Sequence, residues 1–171
     1  MTTDSRTFVP IAIALGLAAA NMAMAQCQYE AIPIPEPCNG AWTPLGLNGN
    51  EQPTVVGSQI GCDSANPRPF KWVSGAQPIY LTVPTGLGIA GARGQIVSDD
   101  GKIVGAANML ATSYDNLAVW NIDGSFQMFE PAGMPANVNS FALRSDGAVL
   151  GEYSNGFENG TKGYILKDGV Y

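Results

Sequence analysis

The chain has 171 residues, 46% of them hydrophobic, which suits one globular domain. Lys and Arg number 8 against 14 Asp and Glu, so the net charge of −6 provides no basic footprint for nucleic acid or an anionic membrane surface. Histidine is absent, which removes Ser-His-Asp and Cys-His nucleophile systems, histidine zinc sites and the commonest general base.

Residues 1–25 read as a leader. Arg6 and the amino terminus supply positive charge, an apolar run extends from Phe8 to Ala20, and Ala23-Met24-Ala25 has the small-x-small pattern of a signal-peptidase site. A signal peptide is therefore predicted, cleaved after Ala25, with 26–171 as the mature chain. The longer stretch from Phe8 to Ala25 is interrupted by Pro10 and Asn21, which disfavours a membrane anchor. Gln26 stands where a lipoprotein signal carries a small residue, which disfavours lipidation of Cys27. The expected location is secreted or periplasmic, with no stable membrane insertion after processing. In that oxidising setting Cys27, Cys38 and Cys62 allow three pairings, one at a time, and none has the C-x-x-C spacing of a metal or redox site.

The mature chain repeats itself. "YEAIPIP", from Tyr29, looks like the later strands "IYLTVP" and "FQMFEP". "PTVVG", "KIVG" and "AVLG" end at Gly57, Gly105 and Gly151, spaced 48 and 46 residues apart. Trp72 and Trp120 each lie 15 residues beyond the glycine of their unit, and Ile165, 14 beyond Gly151, is read as their counterpart. Each unit parses into strands A, B, C and D: A near Leu47, Ile96 and Ala142, B the Val/Ile run, C the Trp strand, and D the stretch before Pro84 or Pro131. Asp-Gly pairs at 100–101, 123–124, 146–147 and 168–169 fall at A–B and C–D junctions, where tight hairpins need residues tolerant of positive φ. Helical periodicity is absent. The predicted fold is all-β: a partial β-propeller-like array of about three four-stranded antiparallel blades, with repeats at about 42–84, 92–131 and 140–171. Trp72 and Trp120 are expected in the core. Trp42, in the Pro/Gly-rich "CNGAWTPLG" ahead of the first repeat, suits packing under the N-terminal loop or stacking on a ligand.

"ALRSDGAVLG", "IVSDDGKIVG" and "GLNGNEQPTVVG" resemble the A-x-x-I-N-x-x-G-Q-V-V-G half of the HAF-type extracellular repeat, and "PFKWVSG" and "LAVWNIDG" its A-F-x-W-x-x-G half. The first unit has two extra residues before its Val run, no His precedes either Trp, and the third unit carries Ile165 for Trp. The resemblance implies a secreted bacterial β-propeller-like protein. Three blades fall short of the usual four to eight. A truncated member accounts for this, and a homo-oligomer completing a ring is the alternative.

Carboxylates at Asp115, Glu130, Glu152 and Glu158 are the candidates for a glycosidase pair, and Arg93 with Tyr114 for a lyase or sialidase-like constellation. The four carboxylates fall in predicted loops or rims, where solvated charge is the simpler reading, and the tyrosines and arginines are scattered without a motif. The Asp-Gly pairs lack the closely spaced carboxylates of a calcium loop. No catalytic, cofactor or metal residue is expected. The expected role is a binding or scaffold module for polysaccharide or protein partners, with a carbohydrate-active enzyme as the alternative.

Strand direction places A–B and C–D turns on one face and B–C and D–A connections on the other. Cys62 follows strand B and Cys38 lies in the D–A connection before it, so the pairing predicted is Cys38 with Cys62, leaving Cys27 free. The same rule puts Gly61 to Pro67, Asn108 to Asn116 and Ser154 to Lys162 on the face suited to a ligand.

Overall fold

The computed structural model describes residues 31–35, 38–62, 64–130, 137–154 and 160–170. The leader, Cys27 and Glu158 lie outside them. Every strand belongs to the compact unit that begins at Ile32.

Among the described residues the chain forms eleven strands and no helix. The first sheet runs β1 (Ala41–Leu47), β2 (Thr54–Ile60), β3 (Arg68–Val73), β4 (Ile79–Tyr80), and the second β5 (Ile89–Val97), β6 (Ile103–Met109), β7 (Asp115–Trp120), β8 (Phe126–Phe129). The third holds β9 (Asn137–Leu143), β10 (Val149–Ser154) and β11 (Lys162–Leu166) in the order β11-β10-β9. Every pairing is antiparallel. Sequential strands are neighbours, as short hairpin connections require. The third sheet has three described strands where four were expected; beyond β11 the chain turns back and Val170 bridges Lys167.

One irregularity recurs in all three sheets. The first strand bulges at Leu45, Gln95 and Phe141, where the register skips from Pro44 to Gly46, from Gly94 to Ile96 and from Ser140 to Ala142. Opposite each bulge stands the glycine that sets the period: Gly57 pairs with Pro44, Gly105 with Gly94 and Gly151 with Ser140. A bulge bends its strand toward the partner. A Cβ would consequently lie 2.1 Å from the Thr43 carbonyl oxygen at Gly57, 1.9 Å from that of Arg93 at Gly105 and 2.2 Å from that of Asn139 at Gly151.

The Asp-Gly pairs close hairpins as their composition suggests. Ser98 to Lys102, Asn121 to Ser125 and Arg144 to Ala148 share one pattern, each closed by backbone bonds of 2.9–3.0 Å, with Gly101, Gly124 and Gly147 at positive φ. That is a type I turn followed by a left-handed residue. Asp168-Gly169 forms a two-residue hairpin with both residues at positive φ, closed by Lys167 and Val170.

The register corrects one sequence alignment. Trp72 pairs with Val55 and Trp120 with Ile103, each two residues before the unit's glycine; the residue opposite Val149 is Leu166, not Ile165. Leu166 is 4% exposed and Ile165 62%. Alternation along a strand reverses the face of neighbours, so a one-residue offset exchanges core for surface. Trp42 also moves: it is the second residue of β1, within the first sheet.

Two apolar layers join the sheets. Val56 of the first shares a core with Ala92, Val97, Ile103, Ala107, Ala118 and Trp120 of the second. Val104, Leu117 and Val119 of the second share another with Val138, Val149, Tyr164 and Leu166 of the third. Trp72 and Trp120 are both buried, and Trp120 Nε1 donates to the Thr82 carbonyl at 2.8 Å.

Tyr164 is a buried titratable group of the second layer. Burial pushes its phenol above the ordinary 10.0, against a smaller opposing effect of the hydrogen bond with the Ser140 hydroxyl at 3.2 Å. A phenol held neutral in the fold contributes stability in full below pH 10, and this is lost as pH rises from there through the folded value. Urea midpoints measured from about pH 9 to about 11 are expected to fall for the wild type and to fall less for Tyr164→Phe.

Cys38 and Cys62 form a disulfide across 24 residues, with Cα atoms 5.7 Å apart. It ties the segment entering β1 to the residues leaving β2. Such a bond belongs to a non-reducing compartment. Replacing both cysteines by Ser is expected to cost about 3 kcal/mol through a freer unfolded chain. The corresponding fall in Tm, roughly 6–12 °C, is checked by thermal melts of the double variant.

Candidate functional site

The two faces differ in chemistry. On the hairpin face, the β1–β2, β5–β6 and β9–β10 turns converge around a depression of about 640 Å³. Its polar groups hold the sheets and turns together. The Gly49 amide donates to Asp99 Oδ1 at 3.1 Å, Asn50 Nδ2 to the Asp99 carbonyl at 2.9 Å, and Asn48 Nδ2 to the Ser98 carbonyl at 3.3 Å. The Ser98 hydroxyl, then the Lys102 amide, hold the Asp100 carboxyl below its ordinary 3.8. The Ala148 amide, followed by Lys167 and Arg144, does the same for Asp146. These aspartates serve their own turns, and the described residues contain no group of three or more His, Cys, Asp or Glu side chains placed to hold a metal ion.

On the opposite face a cleft of about 840 Å³ opens between the first and second sheets. The β2–β3 connection, the β4–β5 connection and the β6–β7 connection build it, contributing Ser64, Pro67, Val83, Gly88 and Leu110 among others. Its walls are held by backbone bonds: the Leu81 amide to the Pro69 carbonyl, Ala92 to Pro67 and Leu110 to Gly88, at 2.8–2.9 Å. The close approach at Pro67 requires glycine, since a Cβ at Gly91 would fall 2.8 Å from Pro67 Cδ and 2.9 Å from its carbonyl oxygen. Of the three connections expected on this face, the first two line the cleft, and most of Ser154 to Lys162 lies outside the described residues.

A cluster that the sequence alone did not reveal stands at the cleft's edge. Cross-strand pairing puts Trp42, Gln59 and Arg68 in one row across β1, β2 and β3. The Arg68 guanidinium carbon lies 3.7 Å from the Tyr80 ring centroid, a cation–π contact. Trp42 stacks on Tyr80 at 6.3 Å and meets Phe70 edge-on at 4.7 Å. The Tyr80 hydroxyl donates to Gln59 Oε1 at 3.1 Å. Trp42 Nε1 and Gln59 Nε2 are buried donors without an acceptor among the described residues. The readable signal was the pairing of Gln59 with Arg68, which only the strand register supplies.

The acids considered from sequence are dispersed. Asp115 forms an ion pair with Arg93 at 2.7 Å and accepts from Asn108 Nδ2 at 3.1 Å. Arg93 thus turns to Asp115 as its carboxylate partner. Glu130 accepts from Asn116 Nδ2 at 3.3 Å and Glu152 from Asn139 Nδ2 at 3.4 Å. None of the three lines the cleft. Gly57, Gly105 and Gly151 sit opposite the bulges, Trp72 and Trp120 lie within the sheets, and Cys38 and Cys62 close the entry loop.

Comparison with family models, with curated proteins and with solved structures finds no match to this chain.

Proposed function

We propose that the chain is an exported, non-catalytic binding module, a propeller-like array of HAF-type repeats that takes an extended peptide in the cleft between its first two sheets. The cleft carries this reading: about 840 Å³, walled by prolines and aliphatic side chains together with Arg68, Tyr80, Ser64, Thr82 and Thr85, with no carboxylate among its described lining residues. Concave, mostly apolar sites with a few fixed polar groups are the usual form of a binding pocket. A radial arrangement is supported by β5, which packs against both β1 and β9. Peptide is favoured over polysaccharide by Tyr80. Sugar rings stack on open aromatic faces, whereas the Tyr80 ring is engaged by Arg68 and Trp42 and its hydroxyl by Gln59.

The test uses a random peptide library displayed on phage, with a panel of purified polysaccharides in parallel. Peptides selected on the wild type are expected to lose at least about tenfold in affinity on Leu110→Asp, a change at an exposed wall residue that leaves the melting curve in place. Polysaccharide binding with no peptide binding, or peptide binding indifferent to Leu110→Asp, would overturn the assignment.

A further inference from the structure

The two ends of the sheet array are unlike its interior. In the first two units the residue just before the aligned glycine points to the following sheet: Val56 and Val104 are both 0% exposed, buried in the first and second intersheet layers. Leu150 occupies that position in the third unit and is 45% exposed. Phe141, at the bulge, and Ile165, paired with Leu150, lie beside it at 59% and 62% exposed. Three large apolar side chains therefore project from the last sheet where its two predecessors are covered by a neighbour. Contiguous apolar exposure of this kind marks an interaction surface.

The first sheet shows the reciprocal form. An apolar hollow of about 390 Å³ lies on its outer side, lined by Ile32, Ile34, Pro44, Leu45, Val55 and Trp72 among others. Ile32, Leu45 and Leu47 around it are exposed. Inside the chain, Val56 packs over Gly94, the residue opposite Gly105: a Cβ on Gly94 would meet Val56 Cβ at 3.1 Å. Pro44, opposite Gly57, is the register equivalent of Gly94 in the first sheet. The contact that Val56 makes over Gly94 would, repeated at the end of the array, place Leu150 over Pro44 in this hollow. The segment beside it fits the same scheme. Ile32 and Ile34 precede Pro35 as Leu81 and Val83 precede Pro84, and Leu81 and Val83 pack on the Trp120 core. At one end a fourth-strand-like segment lies against Trp72 without a described sheet of its own, and at the other a sheet has three described strands.

We propose that a second copy of this chain covers each end, Phe141, Leu150 and Ile165 of one copy seating on the hollow at Pro44, Leu45 and Trp72 of the other, so that two chains close head to tail. The contact is heterologous, and a heterologous contact that closes makes a ring. It does not depend on what the cleft binds.

The test is the mass of the full chain in solution by sedimentation and light scattering at about 100 µM, above the micromolar limit for interfaces of standard size. The wild type is expected at twice the chain mass. Leu150→Glu with Ile165→Glu, and separately Ile32→Glu with Leu45→Glu, are expected at the monomer mass with unchanged circular dichroism, since all four side chains are surface-exposed. Mixing the two variants is expected to restore a dimer, because one intact end remains on each chain and the two are complementary. A monomeric wild type would overturn the proposal. So would a dimer indifferent to both pairs of changes, or self-association of the Ile32→Glu, Leu45→Glu variant through its intact last sheet, which would make the contact isologous.

Discussion

Replacing Gly105 by Ala is expected to destabilise the chain by at least about 3 kcal/mol, the upper part of the range for forced overpacking. The added Cβ would stand 1.9 Å from the Arg93 carbonyl oxygen, 2.9 Å from its carbonyl carbon and 3.0 Å from Gly94 Cα. All three are backbone atoms of β5 beside its bulge, so no side-chain rotation relieves the clash and either the ladder or the bulge must give. Gly101→Ala is the contrasting change. It meets nothing within 4 Å but places a Cβ at φ 93°, so its cost is conformational and on the order of 1 kcal/mol. Urea unfolding of the two variants should separate them clearly. A Gly105→Ala midpoint equal to that of Gly101→Ala would refute the close approach.

Trp120→Ala is expected to cost about 4 kcal/mol, as for other large aromatic truncations in cores. The indole is 3% exposed, lies edge-on to Phe126 at 5.3 Å and shares the layer with Val56, Ile103 and Ala118. Its removal also leaves the Thr82 carbonyl without its indole donor. Trp120→Phe keeps most of the apolar contact and loses that hydrogen bond, so it should cost about 1–2 kcal/mol. Chemical denaturation of both variants gives the comparison. Equal losses would mean that the hydrogen bond, rather than the packing, dominates at this position.

Much of this architecture is legible in the residues themselves. The spacing of Gly57, Gly105 and Gly151 marks the bulge opposite each of them, because only glycine admits the crossing carbonyl. Asp-Gly pairs locate the hairpins, since positive φ falls on those glycines. The Cys38–Cys62 bond follows from strand direction alone. What the residues did not convey depends on register. The exception is Leu166, which the 15-residue spacing of Trp72 and Trp120 from their glycines already selects over Ile165. Trp42 reads as part of a loop because Gly40 precedes it and Pro44 and Gly46 follow it, yet Pro44 and Gly46 flank the bulge of β1. The partners of Asp115, Glu130 and Glu152 are amides and an arginine on other strands or turns, invisible to local spacing. The cleft is less legible still, since three connections far apart in sequence assemble it.

The tandem packing of the sheets underlies the cleft, the core and the exposed last face alike, and methyl nuclear Overhauser effects test it most directly. On a chain with labelled methyl groups, Val56 is expected to show cross-peaks to Ile103 of the second sheet, and Val104 to Val138 and Val149 of the third, while Leu150 shows only contacts within its own sheet in the monomeric Ile32→Glu, Leu45→Glu variant. Val56 and Val104 methyls lacking any cross-peak to the following sheet would contradict the account.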